Sequence, residues 1–223
     1  MTHEDLDYTF YTKYSFARLF LHKVFPNLDK IIYLDTDVIV TSDIAELYNQ
    51  DINGYALGAC QDAVVKKGIE KLKENKFVTR IPGIKRSQSQ YDYFNKYLKL
   101  ENDQINRHVN SGVLLYDLKK AGRLIDQKLP ELLKKKFIFP DQDIINIIFK
   151  DDKKILDRKF NVVHHDAFQY LREMSKYPVI IHYNGLKPTA NMIRPSYYCY
   201  WKEISNTPFY YPALEQFIDK KNS

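Results

Sequence analysis

The stretch Lys30-Ile31-Ile32-Tyr33-Leu34-Asp35-Thr36-Asp37-Val38-Ile39-Val40 joins a short apolar run to two carboxylates and then to a second apolar run. Runs rich in isoleucine and valine predict buried β-strands. Two carboxylates one residue apart repel each other unless a positive group lies between them, and Mg²⁺ or Mn²⁺ is the simplest such group. A strand that ends in Asp is also typical of an ordinary turn, so the tripeptide alone leaves both interpretations open.

The composition is typical of one globular domain with a substantial core, since 44% of the 223 residues are hydrophobic. The net charge of +6 is compatible with an anionic small ligand or an anionic membrane surface, and we expect no nucleic-acid partner. The sequence has only 7 Gly, and neither of the common glycine-rich phosphate motifs occurs. No signal peptide or membrane-spanning stretch is recognisable, so the expected location is cytoplasmic.

Helical and strand patterns alternate along the chain, which predicts an α/β fold with a mostly parallel sheet. Apolar residues have helical spacing at 9–25, 118–135 and 141–149, and strand patterns lie at 55–60, 113–116, 160–163 and 179–182. The polar stretch 63–105 is weakly patterned, and 80–90 within it predicts a loop. We expect one α/β domain over 1–194, followed by a tail of short, aromatic-rich helices over 195–223.

A second group of polar residues follows the strand pattern that ends at Ile181. A histidine at a strand end, such as His182, can bind a divalent metal through its neutral imidazole, although a core histidine is the alternative. Gly185 allows backbone N–H groups to approach a phosphate closely, and Lys187 offers a point charge for a diphosphate. These neighbours favour a ligand-binding loop. Farther upstream, Asp141 begins a predicted helix, where the helix dipole stabilises a carboxylate whether or not it is functional.

Together these segments resemble family 8 of the retaining nucleotide-sugar glycosyltransferases, the group of lipooligosaccharide galactosyltransferases and glycogenin. Five segments carry the resemblance, in the order that the family has them: Tyr14–Leu19, Tyr33–Asp37, Asn110–Leu115, Asp141–Asp143 and His182–Pro188. The resemblance implies a GT-A type fold, a Rossmann-like mixed sheet flanked by helices that binds a UDP-sugar with Mn²⁺ or Mg²⁺. The family's first strand is not recognisable ahead of the first helical pattern, so we expect an N-terminally shortened catalytic domain.

The resemblance also implies roles for individual residues, carried over by position. Asp35, Asp37 and His182 would be the metal ligands, and Asp141 and Gln142 the catalytic residues. The substrate-binding residues that it implies are Arg18, Asp35, Thr36, Asp37, Asp62, Asn110, Ser111, Asp141, Gln142, His182, Gly185 and Lys187.

The implied reaction moves a hexose from a UDP-sugar to a surface-glycan acceptor of lipopolysaccharide, capsule or glycoprotein, with retention at the anomeric carbon. Because Gln142 is a poor nucleophile, a front-face displacement assisted by the leaving phosphate is favoured over a covalent intermediate. Asp141 could instead stabilise positive charge on the sugar ring, and the sequence leaves both open. The aromatic tail either packs on the core or contacts the inner membrane face, which would suit a lipid-linked glycan acceptor.

Two other functions are compatible with parts of the sequence. A domain of this kind without the family's first strand could be a catalytically inactive partner of a complete transferase. The pattern Asp35-Thr36-Asp37-Val38 also fits the strand end of haloacid dehalogenase-like phosphatases, with Asp151 and Asp152 as the nearest later acidic pair. The phosphatase interpretation leaves the loop after His182 without a role.

Overall fold

A computed structural model describes residues 13–79, 84–184 and 195–215. The described chain forms two compact units. The first contains the described residues up to Tyr33 together with Gln50–Leu156, and the second contains Leu34–Asn49 together with the described residues from Asp157 onward. The domain boundary at residue 194 stays a prediction.

Strands and helices alternate through the described residues, as the sequence predicts. The strands are β1 (Lys30–Leu34), β2 (Val38–Val40), β3 (Leu57–Gln61), β4 (Lys76–Val78), β5 (Ser87–Ser89), β6 (Val109–Asp117), β7 (Lys153–Leu156), β8 (Val162–Val163) and β9 (Ile180–His182). The α-helices are α1 (Leu21–Val24), α2 (Ala45–Tyr48), α3 (Ile69–Glu74), α4 (Gln90–Asp92), α5 (Asn102–Asn106), α6 (Leu118–Leu132), α7 (Pro140–Ile148), α8 (Ala167–Met174) and α9 (Pro195–Ile204). Shorter turns of 3₁₀- or π-helix lie at Lys13–Leu19, Val65–Lys67, Tyr93–Tyr97, Arg158–Phe160 and His164–Asp166.

The main sheet of the first unit has the strand order β1-β6-β3-β7. β3 runs antiparallel to β6 and parallel to β7, so the sheet is mixed. This confirms the mixed α/β fold class and corrects the mostly parallel arrangement that the alternation of elements predicts. Alternation shows which elements follow one another, whereas strand direction also depends on where each connection re-enters the sheet.

Helices α6 and α7 cover the long central strand β6 and build the core of the first unit. Their aliphatic residues Ile125, Ile144 and Ile148 are buried in this core. Each buried aliphatic side chain stabilises the fold by roughly 1.5–3 kcal/mol relative to an exposed one. Helix α6 begins at Leu118, as predicted, but it ends at Leu132, before the predicted end at residue 135, and contains Pro130.

The second unit has a three-stranded sheet in the order β2-β9-β8. The central strand β9 pairs antiparallel with β2 and parallel with β8. A small core lies beside it, made of Val162, Ala167, Tyr170, Ile181, Tyr183, Tyr197 and Cys199. Tyr197 belongs to α9, so part of the predicted aromatic tail packs into this core rather than facing solvent.

Local boundaries differ from the sequence-based expectations at the two segments that matter most for function. Strand β6 begins at Val109, ahead of the predicted strand pattern 113–116, because Val109 already pairs with Gln61 across the sheet. Helix α7 begins at Pro140 and its N-cap is Phe139, so Asp141 is in the first turn and is not the N-cap. A proline is well suited to the first helical position because it has no N–H to leave unpaired.

Candidate active site

Asp35, Thr36 and Asp37 form the turn that connects β1 to β2. The backbone carbonyl of Asp37 accepts a hydrogen bond from the N–H of Tyr183 at 2.8 Å. The next residue, Val38, lies directly opposite His182 in the antiparallel pair of β2 and β9. Strand register therefore brings the histidine and the acidic turn together, although they are far apart in the sequence.

The side chains of Asp35, Asp37 and His182 converge on one point of the second unit. One ligand atom from each lies within 4.8 Å of the other two. Nε2 of His182 lies 3.2 Å from Oδ1 of Asp37. His182 is buried, and the two aspartates are half-buried. Two carboxylates and an imidazole form a donor set that suits Mn²⁺ or Mg²⁺, so the residues present fit the metal that the sequence predicts.

The ring of His182 is held from its other side by Asn161. Nδ1 of His182 lies 3.0 Å from Oδ1 of Asn161, and both residues are buried. An amide oxygen can only accept, so Nδ1 of His182 is the donor in this contact, and Nε2 is the ring nitrogen on the side of Asp37. Hydrogen bonds of this kind orient histidine ligands in metal sites. The sequence analysis missed Asn161, because nothing in its local pattern marks it as the partner of a distant strand.

A buried ion pair lies in the first unit between Arg18 and Asp141. Nη1 of Arg18 lies 3.1 Å from Oδ2 of Asp141, and it also donates to the carbonyl of Ser111 at 2.6 Å. The hydroxyl of Ser111 donates to the same carboxylate oxygen at 3.0 Å. The guanidinium also lies over the ring of Tyr33, 4.6 Å from its centroid. Arg18 is only 5% exposed and Asp141 only 4%, so solvent contributes little to either charge.

Gln142 joins three other predicted site residues through its side-chain amide. Its Nε2 donates to Oδ2 of Asp62 at 2.7 Å. Its Oε1 accepts from Nδ2 of Asn110 and from the backbone N–H of Ser111, both at 3.2 Å. Both ends of the amide are therefore engaged, which fixes its orientation. The result is a patch of carboxylate, amide and hydroxyl groups connected by hydrogen bonds.

Two further residues, to which the sequence analysis assigned no role, hold the first turn of α7 in place. Asn146 is fully buried and exchanges two 2.8 Å hydrogen bonds with the backbone of Val109, which ties α7 to β6. Asp143 accepts hydrogen bonds at Oδ2 from the hydroxyl of Tyr93 at 2.6 Å and from the N–H of Phe139 at 2.9 Å. Burial raises the pKa of Asp143 to about 7, although the Tyr93 and Phe139 hydrogen bonds oppose this shift.

The structure thus gathers the predicted residues into two groups, one in each unit. Asp35, Asp37 and His182 meet in the second unit, where Thr36 is exposed between the two aspartates. The group in the first unit consists of Arg18, Asp62, Asn110, Ser111, Asp141 and Gln142. Gly185 and Lys187 lie outside the described residues. The functional roles of all these residues stay predictions.

Comparison with known proteins assigns this chain to a family. The model for "Glycosyl transferase family 8" matches residues 3–190. The chain belongs to this family. The family match favours the glycosyltransferase interpretation over the phosphatase one, and it confirms the resemblance seen in the five sequence segments.

One relative of this family 8 chain is the lipopolysaccharide 1,2-glucosyltransferase of Escherichia coli strain K12. The two are 28% identical over 196 residues, which cover 82% of this chain and 51% of the relative. A putative glycosyltransferase of Haemophilus influenzae is 31% identical over 77% of this chain and 47% of its own length. The chain therefore spans about half the length of these curated relatives.

Solved structures support the GT-A fold class. The bifunctional glycosyltransferase WbbM superposes with a TM-score of 0.76 at 23% identity, over 93% of this chain and 38% of that one. At this level of identity the likeness concerns the fold alone. The family 8 chain has a GT-A type α/β fold, as the sequence predicts.

Proposed function

We propose that this chain is a metal-dependent retaining hexosyltransferase that uses a UDP-sugar donor. The observation that carries the proposal is the convergence of Asp35, Asp37 and His182 on one point. Family membership supports the reaction class, and the donor set supports the need for a divalent cation. The acceptor in this proposal is a surface glycan, as in lipopolysaccharide, capsule or a glycoprotein.

In the second unit, Asp35, Asp37 and His182 would hold a Mn²⁺ or Mg²⁺ ion together with the donor diphosphate. When bound, such an ion supplies Lewis-acid stabilisation of the negative charge on the leaving UDP. Asn161 keeps the proton on Nδ1 of His182, which leaves Nε2 available as a ligand. Gly185 and Lys187 remain the predicted contacts of the diphosphate, and Thr36 remains a predicted substrate-binding residue.

In the first unit, the group around Gln142 would hold the hydroxyls of the donor sugar. Asp62 and Asn110 already pair with the Gln142 amide, so this patch is ordered before a sugar arrives. Such preorganisation lowers the entropic cost of binding. The amide of Gln142 is a weak nucleophile, and the Asp141 carboxylate is occupied by Arg18 and Ser111.

These contacts support a front-face displacement over a covalent glycosyl intermediate. In that step the bond from the anomeric carbon to the phosphate oxygen breaks. The bond to the acceptor oxygen forms on the same face, and the acceptor proton passes to the leaving phosphate. Asp141, paired with Arg18, would stabilise the positive charge that develops on the sugar ring.

The proposal includes peripheral contact with the inner membrane face through the C-terminal segment. Among the described residues there, Tyr198, Phe209 and Tyr211 are more than half exposed, and Lys202 is exposed beside them. Aromatic and basic residues together favour an anionic membrane surface. In the described part of the chain, no helix has the length and apolar character needed to cross a bilayer. Flotation with phosphatidylglycerol vesicles, compared between wild type and Phe209→Ser, would test this contact.

The proposed function is tested by thermal unfolding with UDP, with Mn²⁺, with both, and with both plus EDTA. A ligand that binds only the folded state stabilises it by about 2.7 kcal/mol at a concentration of 100 Kd. We expect a rise in Tm that needs both UDP and Mn²⁺ and that is lost in Asp37→Ala. Glu203→Gln, which changes an exposed acidic residue of the same unit, is the matched control and should respond as wild type does.

A cooperative unfolding transition that no combination of ligands moves would contradict the proposal. The inactive-partner alternative would then be favoured. If UDP and Mn²⁺ do bind, hydrolysis of UDP-glucose and UDP-galactose in the absence of acceptor would identify the donor sugar.

A further inference from the structure

The positive charge of the chain is concentrated in one part of the first unit. Residues 63–79 and 84–99 contain nine Lys or Arg and three Asp or Glu, a net charge of +6. The whole chain also has a net charge of +6, so the remainder of the sequence is neutral overall. We call residues 63–79 and 84–99 the cationic segment.

Most of these cations have no anionic partner within the described residues. The three acidic side chains of the segment pair with lysines at 2.6–3.0 Å: Glu74 with Lys71, Glu70 with Lys73, and Asp92 with Lys96. Six further basic residues are exposed and make no ion pair in the described part of the chain: Lys66, Lys67, Lys76, Lys85, Arg86 and Lys99. An unpaired excess of this size attracts anions to the segment.

One end of the cationic segment is attached to the predicted sugar-binding group. The Asp62 carboxylate accepts from Gln142 at Oδ2 and from the N–H of Val64 at Oδ1, at 2.7 Å in both cases. This second bond begins the turn that carries Lys66 and Lys67. A single carboxylate therefore connects the donor-sugar patch to two exposed, unpaired lysines.

The rest of the cationic segment contacts the N-terminus of α7, the helix that carries Gln142. Phe77 of β4 packs edge-on against Phe139, with ring centroids 5.7 Å apart. The Tyr93 hydroxyl donates to Asp143 at 2.6 Å. Phe139 and Asp143 flank the Asp141–Gln142 pair in the chain, so the cationic segment is anchored on both sides of these predicted catalytic residues. These two contacts attach the backbone that carries the cations to the first unit's predicted sugar-binding group.

We propose that the cationic segment is the acceptor-binding surface and that the acceptor is an anionic glycan bearing phosphate or carboxylate groups. This inference rests on the proposed function, because it assumes a sugar-transfer site in the first unit. Lysine and arginine side chains form charge-assisted hydrogen bonds with phosphate and carboxylate oxygens. Exposed cations beside a binding site also increase the rate at which an anionic partner arrives.

An anionic membrane is a weaker match for this surface. Membrane-surface helices combine their basic residues with a broad exposed apolar face. Within the described residues of the cationic segment, Val78 is the single large hydrophobic residue that is exposed. The other apolar side chains of the segment are buried, as Leu72, Tyr93 and Phe94 are, or half-buried. A hydrophilic, charged ligand such as an acidic glycan therefore fits the surface better than lipid does.

The test compares binding to matched glycans in the presence of UDP and Mn²⁺. The probes are a phosphorylated pentamannose with its dephosphorylated form, and an oligogalacturonide with its methyl ester. The triple variant Lys66→Gln, Lys67→Gln, Arg86→Gln removes three unpaired charges from the exposed surface. The control variant Arg123→Gln, Arg172→Gln, Lys176→Gln removes three exposed charges from elsewhere. A parallel arm measures capture on phosphatidylglycerol vesicles.

We expect wild type to bind the anionic member of at least one pair about tenfold more tightly, in keeping with three exposed ion pairs of ordinary strength. The preference should weaken in 0.5 M salt, vanish in the triple variant and persist in the control variant. Equal binding of anionic and neutral probes, or binding of none, with an intact UDP–Mn²⁺ response would overturn this inference alone. Capture of wild type on the vesicles that is lost in the triple variant would also overturn the inference. That result would assign the cationic segment to a membrane surface. Loss of the UDP–Mn²⁺ response itself would instead count against the proposed function.

Discussion

Nε2 of His182 lies 3.2 Å from Oδ1 of Asp37, although the two residues are far apart in the sequence. The contact follows from register, since Val38 is paired with His182 between β2 and β9. A shift of one residue in this pairing would turn the histidine to the other face of the sheet. The geometry of the candidate metal site therefore depends on the pairing of these two strands.

The first prediction concerns Asn161, which orients His182. Asn161→Ala should weaken the binding of Mn²⁺ with UDP about 10–100-fold, because residues that hydrogen-bond a histidine ligand typically have effects of this size. Asn161→Asp keeps an acceptor for the Nδ1 proton and should restore most of the affinity. Isothermal titration with Mn²⁺ at saturating UDP measures both effects. Asn206→Ala, an exposed asparagine in the same unit, should bind as wild type does, and an unchanged affinity in Asn161→Ala would refute the positioning role.

The second prediction concerns the buried pair of Arg18 and Asp141. Arg18→Met leaves the Asp141 carboxylate buried without its cation, and such a change costs about 3–5 kcal/mol of unfolding free energy. The double variant with Asp141→Leu should lose less than the sum of the two single variants, because both groups belong to one pair. Urea denaturation measures these differences. Lys119→Met, which breaks an exposed pair with Asp29, should change stability little.

The third prediction concerns the pH dependence that arises from Asp143. Burial holds the pKa of Asp143 at about 7 in the folded chain, above its ordinary value of 3.8. The folded state therefore retains a proton that the unfolded state has already lost, so this group's contribution to stability falls as pH rises from about 4 to about 7. Asp143→Asn cannot ionise and should remove that slope from urea unfolding measured between pH 4 and 7. If the slope persists in Asp143→Asn but is lost in exposed Asp103→Asn, Asp143 is not its source.

The fourth prediction concerns Lys153, for which the unfolding free energy should change with pH in the opposite direction. Burial, reinforced by the charge of Arg107, lowers the pKa of Lys153 to about 7. Between about pH 7 and 10.5 the unfolded state binds the proton that the folded state has released, so stability should rise with pH in this window. Nζ of Lys153 has no hydrogen-bond partner among the described residues. Lys153→Met should therefore raise the unfolding free energy at pH 7 by about 1–4 kcal/mol and flatten the slope.

The control for this prediction is Lys154→Met, the next residue of β7, whose ammonium instead donates to the carbonyl of Asp51. It should leave the pH dependence unchanged. A Lys153→Met chain that is less stable than wild type at pH 7 would show that the lysine has a stabilising partner.

The strands on either side of Asp35-Thr36-Asp37 and the helix after Pro140 could be predicted from the sequence. Their apolar runs and helical spacing are local patterns, and β1, β2 and α7 lie within one or two residues of the expected bounds. Strand β7 was not predicted, because Lys153 and Lys154 make its short pattern polar, and the burial of Lys153 depends on pairing with β3. The alternation of elements alone predicted a mostly parallel sheet, whereas the family resemblance implied the mixed sheet that is observed, since strand direction is decided by non-local pairing.

The sequence by itself determined which residues are candidates for the chemistry: the acidic turn, His182 and the Asp141–Gln142 pair each stand out through side-chain type and position beside a predicted element. Only the tertiary structure decided what these residues touch. In the folded chain Asn161 hydrogen-bonds to His182, and Arg18 forms an ion pair with Asp141. The physical reason is that strand register and helix packing bring distant segments together through many weak contacts, and no single local pattern contains that information.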